Sequence, residues 1–259
     1  LTKKPIVFKT QYPLLTFCRV IFFFFGFSSF YISLTVLPLG LATALFFVTP
    51  FLITIFAHFF LKEEIGPRRW SAVVVGFIGV YITLNPDFSN FNYLSLLPIF
   101  CAFCYSLSMI IIKKTSDKDS VYTQTFTFYF GAIIFSLIFY FIIGDGQYNT
   151  IDHPASQFIF REWFVDFKSN ILFMVTTGVT ATIAFILLFT AYSIASPSVV
   201  SPFEYSILLW SILIGWIYFE EIPTLNTVIG ILIIVSSGIY IFMREKAQDQ
   251  SIATEKPLR

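Results

Sequence analysis

An all-α, polytopic membrane helix bundle with eight spanning helices is the fold this sequence predicts. Three observations carry that prediction. Hydrophobic residues make up 57% of the 259 residues and charged ones only 12%, against about 25% charge in an ordinary soluble domain, and the mean hydropathy is +0.81. Apolar runs of about 18 residues or more, long enough to cross a roughly 30 Å hydrocarbon core as a helix, recur eight times. The basic residues fall on alternate connecting segments, as a fixed orientation in a membrane requires.

The runs lie near 13–34, 39–61, 69–85, 93–112, 122–143, 170–192, 198–219 and 224–243. The first carries a single charge, Arg19. The second follows Pro38 and closes on a Glu63-Glu64-Ile65 turn, and the third ends on Gly-x-Tyr-Ile. The fourth holds Cys101 and Cys104 in "LLPIFCAFCYSLSMIII". With no His nearby and no metal-spaced partner, this C-x-x-C reads as two packing thiols. Three cysteines in all do not make a disulfide framework. After the fifth span comes the one long connection, "GDGQYNTIDHPASQFIFREWFVDFKSN", whose Phe, Trp and Tyr suit the headgroup layer. The seventh span follows Pro197, contains Glu204 and closes on Glu220-Glu221-Ile222. The polar segment 244–259 is expected to be a disordered cytoplasmic tail.

Orientation follows from the basic residues. With the N-terminal side inside, the cytoplasmic set is Lys3, Lys4, Lys9, Lys62, Arg68, Arg69, Lys113, Lys114, Lys118, Arg244, Lys246, Lys256 and Arg259, with Arg19 at the inner end of the first span. Only Arg161 and Lys168 fall outside. Both ends of the chain are therefore expected in the cytoplasm.

An internal repeat appears between "LPLGLATALFFVTPFLITIFAHFFLKEEIGPRRWSAVVVGFIGVYI" and "SPSVVSPFEYSILLWSILIGWIYFEEIPTLNTVIGILIIVSSGIYI". Pro38 and Gly79 match Pro197 and Gly238, and Glu63-Glu64 match Glu220-Glu221, with small gaps. The basic residues put the first Glu-Glu turn inside and the second outside, so the two halves are inverted.

These stretches resemble the two signature ends of EamA-type carriers in the drug/metabolite transporter superfamily, and the likeness covers nearly the whole chain. It implies ten helices in two inverted five-helix repeats, a central substrate cavity and alternating access in a cell inner membrane. It also points to the branch that contains importers of metabolites such as S-adenosylmethionine or riboflavin and exporters of amino acids. "LTKKPIVFKTQYPLLTFCR" resembles the family's connection from helix two into helix three, so the likeness implies an N-terminally truncated chain without the first two helices. Residues 1–92 would then hold the last three helices of the first repeat, and 93–243 the whole second repeat. The family's mid-helix proline is present as Pro50. Its counterpart in the second repeat is missing, and Pro202 stands a turn and a half earlier as the replacement hinge.

Of all the charged side chains only Arg19 and Glu204 fall inside spans. Each costs about 2.5–3.5 kcal/mol there on insertion scales, so both are expected to face protein or water. Both lie roughly 9–11 Å below the inner boundary, a depth at which they can face each other. Three readings stand for the two charges: a structural or gating ion pair, contact with substrate or a coupling proton or cation, or no contact with each other. Ser201, Glu204, Leu208, Ser211 and Gly215 form a mostly small and polar stripe. His58, near the same depth, is a further titratable candidate or an interfacial histidine. Tyr105, Gln124, Tyr205 and Trp210 are candidates to line a site for a flat or cationic ligand, although packing is the ordinary role in a chain with 35 Phe, 13 Tyr and 4 Trp.

The net charge of +1 gives no reason to expect nucleic acid. No H-E-x-x-H, G-x-S-x-G or P-loop is present, so neither a membrane-embedded enzyme nor ATP-driven transport by this chain is supported. Every lysine falls in a loop or tail, which argues against a retinal-type photoreceptor. A small-molecule substrate and the lipid bilayer are the expected partners, and no cofactor or metal is implied.

Overall fold

The structure, a computed structural model, describes residues 9–63, 66–84 and 92–247. Glu64, Lys3, Lys4, Lys256 and Arg259 lie outside the described residues, as does the tail beyond Ala247. The protein is all-helical: α1 (Pro13–Ser33), α2 (Leu39–Phe46), α3 (Thr49–Leu61), α4 (Pro67–Leu84), α5 (Leu97–Thr115, entered by a 3₁₀ turn at Tyr93–Leu96) and α6 (Val121–Ile143). These are followed by α7 (Pro154–Phe160), α8 (Phe167–Ile194), α9 (Pro197–Val200), a 3₁₀ turn at Ser201–Tyr205, α10 (Ser206–Phe219) and α11 (Leu225–Ala247).

Helical stretches stand where all eight runs were expected. Among the described residues, five are long and apolar enough to cross a membrane: Pro13–Ser33, Leu39–Leu61, Tyr93–Thr115, Val121–Ile143 and Phe167–Ile194. Trp70–Leu84, Phe203–Phe219 and Leu225–Tyr240 are shorter apolar helices. Two differences from the expected pattern are local. The long connection folds a short helix, α7, and α11 runs past the expected boundary at 243 to Ala247.

Two runs are broken helices, each at its proline. Pro50 has no N–H to offer the Phe46 carbonyl, four residues back, and the Thr49 hydroxyl donates to that carbonyl instead, at 2.5 Å. The α2–α3 junction falls at Phe47–Val48. In the other run Pro202 sits in the 3₁₀ turn between α9 and α10.

The bundle has two apolar cores. One gathers Leu45, Phe47, Phe51, Val80, Tyr205 and Ile234, and the other Phe23, Met109, Phe128, Phe189 and Tyr192. Helix α5 runs through the middle and packs against α1, α2, α3 and α8. Helices α4 and α11 pack along one another. Their backbones come so close that a Cβ on Gly230 would meet Thr83 Oγ1 at 1.9 Å and the Gly79 carbonyl oxygen at 2.7 Å. The close approach therefore requires glycine at 230.

The ends of α3 and α10 have the same geometry. Lys62 (φ 58) and Glu220 (φ 56) are left-handed caps, and the next N–H reaches the carbonyl six residues back in each, Glu63 N–H to Ala57 O at 3.2 Å and Glu221 N–H to Gly215 O at 3.0 Å. Both helices therefore end on a left-handed residue whose successor returns to a carbonyl of the last turns. The carboxylates that follow each make a long-range tie. Glu221 Oε2 accepts from Leu39 N–H at 2.7 Å, at the start of α2, and Glu63 Oε1 accepts from the Ser196 hydroxyl at 2.7 Å, at the start of α9. The matching pair is thus Glu63 with Glu221, one residue out of register with the sequence pairing of Glu63 with Glu220.

Candidate functional site

Glu204 lies in the 3₁₀ turn at the junction of the two cores, 8% exposed. Its neighbour Tyr205 packs into one core, while its hydrogen-bond partners Tyr105 and Tyr192 belong to the other. Tyr192, from α8, donates its hydroxyl to Glu204 Oε1 at 2.6 Å. Tyr105, from α5, donates to the same oxygen at 3.0 Å. A carboxylate removed from water needs such donors. Three elements thus hold one acidic group, with the phenol rings forming its wall.

Arg19, on α1, is 1% exposed. Its Nη2 donates to the backbone carbonyl of Gln124 and to Thr127 Oγ1 at 3.1 Å, and its guanidinium lies 5.5 Å over the ring of Phe189. Nε and Nη1 have no partner. Gln124 Nε2 donates to Ile112 O at 3.3 Å and Thr115 Oγ1 at 3.2 Å, which leaves its Oε1 buried and unpaired.

The facing pair of Arg19 and Glu204 is not formed; among the described residues each charge has other partners. Both charges reach the same end of α8, Arg19 at Phe189 and Glu204 at Tyr192, one turn apart on one face. These two are the buried residues of that helix. Packed aromatic rings link the surroundings of the two charges. Phe23 contacts Tyr105 at 6.0 Å, Phe128 at 4.7 Å and Phe189 at 5.9 Å between centroids.

The other sequence candidates fall as follows. Tyr205 is buried, stacks on Phe47 at 5.3 Å and has an unpaired hydroxyl, as does Ser201. Ser211 is buried and its hydroxyl returns to Leu208 O at 2.9 Å. Trp210 stands on the outer side of α10, 64% exposed, away from these contacts. His58 joins the turn after α3, where its Nδ1 lies 2.8 Å from Glu63 O, and its ring meets Phe59 and Trp70. Pro50 and Pro202 mark the two helix breaks.

Tyr192 and Thr127 are the residues that sequence reasoning did not single out. A readable signal existed for Tyr192. It closes a span a few residues before the turn at Ser196, and Glu204 opens the next span a few residues after it, so the two reach similar depth on neighbouring helices.

The fold has counterparts among known proteins. One solved crystal structure superposes with a TM-score of 0.59 at 13% identity, covering 94% of this chain and 80% of its own. The S-adenosylmethionine uptake transporter of Rickettsia conorii is 29% identical over 92% of this chain and 74% of its own length. The riboflavin transporter of Vibrio cholerae is 31% identical over 79% of this chain and 62% of its own length. The model of the EamA-like transporter family matches residues 1–85 and 93–243. That match takes in every described helix except the last residues of α11, and with it the chain is assigned as an integral membrane protein of the EamA-like transporter family.

Proposed function

We propose that this chain is a secondary carrier for a small cationic metabolite with a flat ring system, a compound of the S-adenosylmethionine type, and that Glu204 binds the cation. The observation that carries the reading is the clamp of Tyr105 and Tyr192 on Glu204. It presents a buried acid inside aromatic walls, and aromatic faces also attract cations. A sulfonium centre beside an adenine ring matches both features. An uncharged flavin of the riboflavin type can donate hydrogen bonds to the acid but brings no charge to balance it.

In this reading the eight helical stretches all span the inner membrane, with both ends of the chain cytoplasmic. Residues up to 92 and 93–243 act as inverted repeats that rock about the clamp and expose it to each side in turn. Pro50 and Pro202 supply the hinges. The two ties, Glu63 to Ser196 and Glu221 to Leu39, support the reading because they join equivalent turns to equivalent helix starts at opposite ends of the bundle.

Uptake into proteoliposomes tests it. Saturable S-adenosylmethionine uptake that falls at least about tenfold in Glu204→Gln, the loss of one charge-assisted contact, is the expected result. Riboflavin uptake that survives the substitution would overturn the cation assignment.

A further inference from the structure

The clamp leaves Arg19 without a role. A fully buried guanidinium with two unpaired nitrogens is unusual, because buried donors nearly always find partners. One other acidic side chain acts on it, Asp119, and that carboxylate is held by the Thr10 hydroxyl and by Gln11 N–H. On Gln124, whose backbone Arg19 touches, an acceptor is also unmet, the buried Oε1. The amide is oriented by its own bonds. Its Nε2 faces the Ile112 carbonyl, which accepts only a donor, so the oxygen is fixed as the open group. The pairing of Arg19 Nη2 with the Gln124 backbone carbonyl puts the two residues in contact.

We infer that Arg19 and Gln124 form the receptor for an α-amino-acid group, Arg19 taking the carboxylate and Gln124 Oε1 the ammonium. A single guanidinium balances a monoanion, and unmet donors and an unmet acceptor on two contacting residues match a group that carries both a carboxylate and N–H donors. The ring of Phe189 beneath the guanidinium and the rings of Phe23 and Phe128 separate this head-group site from the Glu204 clamp. The substrate class is thereby narrowed to amino acids whose side chain bears a second cation at a distance, a description that fits S-adenosylmethionine. The inference rests on the carrier reading for its location but makes its own demand, a carboxylate.

The test compares S-adenosylmethionine with its decarboxylated analogue, which keeps the sulfonium and adenine, by ligand-induced thermal stabilisation of the purified full chain. Wild type should bind the carboxylate-bearing compound at least about tenfold more tightly. Arg19→Met should erase that preference while leaving affinity for the decarboxylated analogue within about threefold. Gln124→Met, a milder change, should weaken both compounds alike, since each keeps the ammonium, and leave the carboxylate preference in place. Equal binding of the two compounds by wild type overturns the inference even if Arg19→Met fails to fold, and so does a parallel loss for both compounds in Arg19→Met. A protein with the expected selectivity that moves no solute sinks the carrier reading and leaves the receptor standing. One that carries riboflavin and ignores Arg19→Met keeps the carrier and sinks the receptor.

Discussion

Tyr192 and Glu204, 12 residues apart, meet across the turn from α8 to α9 with 2.6 Å between the phenol oxygen and Glu204 Oε1. The contact ties the buried end of a largely exposed helix to the one acid inside the spans. Tyr192→Phe removes one of two donors and keeps the ring, so Tyr105 still serves the carboxylate. A loss of about 1–2 kcal/mol in substrate affinity is expected, seen as a five- to thirtyfold rise in KM for uptake with the melting temperature little changed. Loss of folding without a KM effect in the surviving protein would make the contact a purely structural brace.

Position along each helix was legible in the sequence, and lateral position was not. Arg19 and Glu204 were assigned similar depths because distance along a helix converts directly to distance below a membrane boundary. Which helices stand side by side depends on packing between distant segments, and α8 supplies a separate contact for each charge, Phe189 for Arg19 and Tyr192 for Glu204. The break at Phe47–Val48 was readable because Pro50 lacks a donor. The register of the Glu-Glu turns was missed by one residue, since the left-handed caps at Lys62 and Glu220 follow from backbone geometry rather than residue type. Trp210 was legible as aromatic but not as outward-facing, because a span that is apolar on every side hides which face is inner.

Close packing makes a second prediction. A methyl at Gly238 would fall 2.0 Å from the Tyr205 ring, which carries the turn next to Glu204, whereas a methyl at Gly178 would meet nothing within 4 Å. Gly238→Ala should destabilise the protein by about 1–3 kcal/mol through overpacking and weaken transport with it. Gly178→Ala should leave both unchanged or slightly improved. Thermal melting in detergent beside uptake rates distinguishes the two variants, and equal melting temperatures would show that Tyr205 is free to move aside.

At the start of α1, the Tyr12 hydroxyl donates to Asp117 Oδ2 at 2.8 Å. This bond holds the phenol above its ordinary range, with burial and the charges of Asp117 and Asp119 adding to the effect. A pKa raised by folding means a contribution present at neutral pH and throughout the range below the ordinary value of about 10, then lost as pH climbs through the folded value. Ultraviolet titration should find one tyrosinate that forms above the ordinary range missing in Tyr12→Phe. If that variant and wild type give superimposable alkaline curves, the tie to the α5–α6 turn is absent in solution.

The two glutamate ties carry the most direct test of alternating access. Glu221 caps the start of α2 beside a cavity of about 60 Å³ lined by Pro38, Gly40, Ile212 and Thr227, room for water but not for a metabolite. Removing that cap costs roughly 1 kcal/mol, a several-fold shift in a balanced two-state equilibrium. Glu221→Ala should therefore favour the state open on that side, and Glu63→Ala, which removes the carboxylate that accepts from the Ser196 hydroxyl at the other end, should favour the opposite state. The reporter is a Thr227→Cys variant treated with a membrane-impermeant thiol reagent from outside. Labelling should rise several-fold with Glu221→Ala and fall with Glu63→Ala, because two states that exclude each other must move in opposite directions. A rise with both substitutions would mean that the ties only hold the bundle together, and rocking about the clamp would lose its support.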